Sequence, residues 1–117
     1  AIPRAVAPDH LSDEQLSEWN QVVDAMPADW FPAETHSLLA EYCCHAVSAR
    51  RLSLYVTSIE EGEDGMDMKG YDTALRARER EVRAMSSLAT RLRLTTQATV
   101  RAETAKKPTQ VRKPWQA

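Results

Sequence analysis

The residues best suited to chemistry sit together at Cys43-Cys44-His45 in the middle of the chain. Two thiols and an imidazole suggest a metal site or an activated nucleophile, but the spacing argues against both. Tetrahedral zinc sites place their cysteines two to four residues apart and need four ligands. Adjacent cysteines also disfavour a mutual disulfide, so the spacing predicts reduced thiols, with Cys43 buried and His45 half-exposed near Glu41. His10 and His36 are isolated, with no Ser, Cys or Asp placed by a motif to work with them. The run Glu60-Glu61-Gly62-Glu63-Asp64-Gly65-Met66-Asp67 is rich in oxygen ligands yet fails the calcium-loop pattern. Gly62 stands where a third-position ligand belongs, and Tyr71 where the twelfth-position Glu belongs. No Gly-rich phosphate cradle exists, which makes nucleotide hydrolysis by this chain improbable. These exclusions predict a non-enzymatic protein without metal or cofactor.

The residues that remain are cations, and their placement is uneven. Residues 1 to 68 hold 3 Lys/Arg against 13 Asp/Glu, a net of −10, whereas residues 69 to 117 hold 12 against 4, a net of +8. The whole-chain charge of −2 conceals this division. Such a chain can pack head to tail with copies of itself and still present cations to a polyanion. Arg76, Arg80, Arg83 and Arg91 fall on one side of a helix, and the series continues through Arg93, Arg101, Lys106 and Lys107 with few acids between. Repeated Lys/Arg of this kind suits contact with backbone phosphates, although charged helix faces are often merely solvated. Farther on, Arg112, Lys113 and Trp115 combine cations with one aromatic, suited to stacking on a base or docking in a partner's groove.

The elements that must carry these residues are helical. With 117 residues, 3 Gly and 1 Phe amid many Ala, Leu, Arg and Glu, composition predicts a single all-α domain. No run approaches the roughly 18 apolar residues of a membrane span, and no secretory signal is visible, so the expectation is a soluble, cytoplasmic protein. Residues 1–10, with Pro3 and Pro8, read as an extended arm. Ser12 and Gln15 form a capping box that opens a first helix running to about Met26, with Leu11 stapled onto Leu16. That helix should bury Leu16, Trp19, Val22 and Val23. Pro27 and Pro32 bracket Trp30 and Phe31 in a rigid turn whose aromatics must pack on something.

A second helix is expected from about Ala33 to Ile59. Leu38, Tyr42, Ala49, Leu52, Val56 and Ile59 line one side, and Leu39, Cys43, Ala46, Val47 and Leu54 extend the apolar face past half the circumference. Either the helix is central in the monomer or part of it is buried against a second copy. The scarcity of other helices favours the second, with Leu39, Cys43, Val47 and Leu54 at the interface. The acidic run is a loop, after which a third helix is expected from Asp72 as N-cap to Leu92. Its face of Leu75, Val82, Met85, Leu88, Ala89 and Leu92 suits a long antiparallel hairpin with the second helix. Thr95 and Thr96 could cap a short fourth helix through about Ala105, closing a helical oligomerisation domain over 11–105. Residues 106–117, with two prolines, four cations and no acid, read as a flexible basic tail.

The order of these parts resembles the terminase small subunits of tailed phages, in particular the P27-like, HK97-type group. The likeness runs from Pro8-Asp9-His10-Leu11-Ser12 and Glu18-Trp19 through Trp30-Phe31-Pro32-Ala33-Glu34 and Leu38-Leu39-Ala40-Glu41-Tyr42-Cys43. It resumes at Leu88-Ala89-Thr90-Arg91-Leu92-Arg93-Leu94-Thr95, covering about residues 8 to 105. The resemblance implies a ring-shaped homo-oligomer in the host cytoplasm that binds double-stranded viral DNA at the packaging start site. It also implies control of the ATPase and nuclease of the large terminase subunit, the natural partner for the tail. Many such subunits read DNA with an N-terminal helix-turn-helix. Here residues 12 to 42 offer two helices with acidic exposed faces, so the charge map assigns any DNA contact to the third helix and the tail. The other reading is a protein-only helical oligomeric regulator or scaffold whose arginines pair with acids of an adjacent copy.

Overall fold

The computed structural model describes residues 3–62, 65 and 67–94, and its regular structure there is entirely helical. Helix α1 spans Asp13–Ala25, a single 3-10 turn spans Ala33–Thr35, α2 spans His36–Glu61 and α3 spans Met68–Arg91. The expected short helix through Ala105 and the basic tail lie outside the described residues.

Helix α1 starts where its capping box requires. The Ser12 hydroxyl accepts from the Gln15 amide at 3.3 Å, and the Gln15 side chain accepts from the Ser12 amide at 2.9 Å. Its far end is closed by the N-terminal arm, whose Arg4 donates to the carbonyls of Val23 and Met26, both at 2.8 Å. A guanidinium at that end reinforces the Val23 carbonyl, which already accepts from the Met26 amide at 3.3 Å, supplies a donor to the Met26 carbonyl and faces the negative pole of the helix. The arm is therefore docked along its extended course, and Ala5 accepts a second tie from the Trp19 indole N–H at 3.2 Å.

Helix α2 is central. Helices α1 and α3 both pack on it, and within the described residues they make no close backbone approach to each other. Trp19, Leu39, Cys43 and Val47 are almost completely enclosed at the α1 side, joined by Val22, Val23, Met26 and Phe31. This arrangement answers the width of the α2 apolar arc from within one chain, and it corrects the expectation that Leu39, Cys43 and Val47 meet a second copy. Only Leu54, 67% exposed, stays at the surface. It lies past Arg51, whose partner Glu14 is in the first turn of α1, so α1 has already begun and offers Leu54 no cover.

Helices α2 and α3 run alongside in opposite directions. The Tyr71 hydroxyl donates to Glu60 at 2.6 Å near the connection, and His45 bonds Glu81 farther along. Helix α3 begins at Met68, four residues before the expected N-cap Asp72, because Gly70 does not interrupt it. The Tyr71 amide already bonds the Asp67 carbonyl at 2.9 Å, and the Asp67 carboxylate folds over Gly70 where a Cβ would come within 2.7 Å of it. The side of α3 turned to α2 carries Ala74, Leu88 and Leu92, buried, with Tyr71, Arg78, Glu81 and Met85 half-buried. Two expected core residues of α3 fall outside that seam: Leu75 is half-buried and Val82 is 48% exposed. Leu16, expected in the core of α1, is also exposed.

The end of α3 is anchored by the turn that precedes α2. Arg93 adopts a left-handed backbone at φ 57°, its amide bonding the Thr90 carbonyl at 3.1 Å while the Leu94 amide reaches back to Ala89 at 2.9 Å. That pair of bonds is a Schellman closure without glycine. Trp30 fixes it from outside: its indole N–H donates to the Leu92 carbonyl at 3.1 Å, and the Arg93 guanidinium lies 4.8 Å from the ring centre.

Candidate nucleic-acid interface

The exposed face of α3 is built by its own repeat. Lys69, Thr73, Arg76, Arg80, Arg83, Ser87 and Arg91 recur at intervals of three and four residues and so share one side of the helix. The seam against α2, at Tyr71, Ala74, Arg78, Glu81, Met85, Leu88 and Leu92, follows the same intervals half a turn away. Packing on α2 therefore turns the arginine face outward. Rises of about 4.5 to 6 Å separate successive members, a ladder of cations whose side chains can each reach a different phosphate.

The cations are not all equivalent. Arg76 pairs with Asp72 at 3.0 Å and Arg83 with Glu79 at 3.0 Å, each one helical turn along. Pairs this exposed hold little energy and exchange readily for another anion. Arg80 and Arg91 are exposed and make no ion pair among the described residues. Arg91 also lies in the last turn of α3, where a cation faces the favourable pole. Arg93 belongs to the Trp30 cap. Arg78 turns toward α2 and is half-buried. Arg101, Lys106, Lys107, Arg112, Lys113 and Trp115 lie outside the described residues.

Elsewhere the cations are committed to the fold. Arg50 pairs with the buried Glu18 at 2.5 Å, and Arg51 with Glu14 at 3.3 Å. The exposed side of α1 displays Asp13 and Asp24, a face that would repel DNA. The Glu18–Arg50 pair was not legible beforehand, since nothing in either helix alone marks which acid meets which base. The Trp30 cap was equally hidden, beyond the requirement that two aromatics between prolines find a surface.

The Cys43-Cys44-His45 run divides its side chains among different surroundings. Cys43 is in the core, where burial, with the charges of Glu18 and Cys44 adding to it, pushes its thiol up to about 12. Cys44 is half-buried and its thiol is raised too, by burial and then by Glu41. His45 points to α3, bonding Glu81 through Nδ1 with Glu41 3.8 Å from Nε2. Both thiols are free, and raised thiols are poor nucleophiles at neutral pH. Among the described residues no group of three or more His, Cys, Asp or Glu side chains could hold a metal ion, and no helix is long and apolar enough to cross a membrane. No family model, curated protein or solved structure matches this chain.

Proposed function

We propose that this chain is a terminase small subunit of a tailed phage: a non-enzymatic, ring-forming packaging adaptor acting in the host cytoplasm. In this reading the α2–α3 hairpin is the unit of assembly. The ring binds double-stranded viral DNA at the packaging start site and regulates the ATPase and nuclease of the large terminase subunit. The observation that carries the DNA-binding part is the outward arginine face of α3, with Arg80 and Arg91 unpaired among the described residues. The order of sequence motifs supports the rest. Affinity built on arginines over phosphates is salt-dependent and weakly selective.

The test is titration of duplex DNA at several salt concentrations with the parent chain and with Arg76, Arg80 and Arg83 replaced by Ala. Loss of three phosphate contacts should weaken binding to every sequence and flatten the log–log salt slope by up to roughly 2.7. Unchanged affinity and slope would remove α3 from the DNA reading. The Arg76–Asp72 and Arg83–Glu79 pairs favour a second reading, a protein-only oligomeric regulator, because they reduce the free charge on that face. No salt-dependent binding by an intact oligomer would favour it.

A further inference from the structure

Helix α3 carries a second apolar line that α2 does not use. Met68, Leu75 and Val82 recur every seven residues, the spacing of a helix-packing seam, about a quarter-turn from the line that packs on α2, and the next member of the series, Ala89, packs against the core. Met68 is 64% exposed and Val82 48%, while Leu75 and Ala89 are half-buried. Asp72 and Glu79 flank this line, each paired with an arginine just beyond it, Arg76 and Arg83 respectively, whereas Arg80 lies farther round the helix. Helix α3 as a whole holds six cations and three acids.

On the other side of α2 the character is reversed. Helix α1 holds four acids and no cation. Glu14 and Glu18 are paired to α2, leaving Asp13 and Asp24 exposed on its free side, with Arg4 3.9 Å from Asp24. Exposed Leu16 lies on this helix, and exposed Leu54 follows just beyond its first turn. Because α1 and α3 flank α2 on opposite sides, each chain presents a basic edge with an apolar line and an acidic edge with apolar points.

We infer that the Met68–Leu75–Val82 line of one copy docks on the α1 edge of a second copy, around Leu16 and Leu54, with Arg76 and Arg83 on the side that meets Asp13 and Asp24. The contact joins unlike surfaces, so it leaves each copy with one unused edge and propagates until it closes. This rests on the oligomeric part of the proposed function and specifies which surfaces make it. It also commits part of the arginine face to neighbouring acids rather than to DNA.

The test uses two full-length variants, each altered only at exposed positions. Val82→Asp blocks the α3 edge and leaves α1 intact; Leu16→Lys with Asp24→Lys blocks the α1 edge and leaves α3 intact. By light scattering at micromolar concentration each variant alone should have the mass of one chain, and an equimolar mixture should form a one-to-one dimer through the two unblocked edges. Circular dichroism matching the parent confirms that both variants fold. Either variant assembling to the parent's mass overturns the assignment, as does a mixture that stays monomeric. A monomeric parent would overturn the oligomeric reading itself, whereas an assembled parent with unaffected variants overturns only this interface.

Discussion

At the scale of single residues, the chain spends its reactive groups on packing. Cys43 is the clearest instance, since its thiol is held neutral by burial far beyond the ordinary range. The unfolded chain ionises this thiol near its ordinary value of 9.0, the folded chain only near 12. Between those values the folded state holds more protons than the unfolded one, so stability falls as pH rises across the window, by at most about 1.4 kcal/mol per pH unit for one group. Below about pH 9 the contribution is complete. Tyr71, raised by its hydrogen bond to Glu60, adds to the same slope. Urea unfolding at pH 8 and pH 10.5 should therefore show a larger loss in the parent than in Cys43→Ala, whose cavity lowers both values but removes one titrating group. Equal losses would mean that Cys43 is more open than its enclosure suggests.

At the scale of elements, what could be read from sequence depended on whether the signal was local. The Ser12–Gln15 box marked the start of α1 because both partners lie within one turn. The Gly70 position hid the start of α3, because the sequence does not show that the Asp67 side chain folds over it within the first turn. Periodicity found the apolar face of α2 but could not say what covers it, since α1 and a second copy present the same demand to the sequence. The end of α3 is the most instructive case. A non-glycine residue in the left-handed region costs about 1 kcal/mol, and Arg93 offsets this by stacking on Trp30. Replacing Arg93 by Ala should keep the backbone cost and lose the stacking, lowering stability by about 1 kcal/mol. Gly at the same position should recover most of that, because it relieves the backbone. Thermal melts of the three chains decide it: a Gly variant as weak as Ala would show that stacking alone governs this cap.

At the scale of the whole molecule, the division of charge was the most legible feature, and the structure gives it a spatial form. Acids gather on α1 and cations on α3, with α2 between them, so a linear asymmetry becomes a difference between two edges. The sequence could not show that α2 would be enclosed by its own chain, which is why three of its four expected interface residues turned out to be core. Among the described residues every buried position lies at or before Leu92. Residues 106–117 lie outside the described residues; with four cations, Trp115 and no acid, their composition is too poor in apolar residues for a core, and the proposed function assigns Trp115, Arg112 and Lys113 to docking on the large subunit. If the proposed function holds, truncation after Ala105 should leave the helical signal and the oligomer mass unchanged and should weaken stimulation of the large terminase subunit's ATPase. Dissociation of the truncated chain would make the tail part of the assembly, and undiminished stimulation would place the docking surface elsewhere, with the α3 edge as the next region to alter.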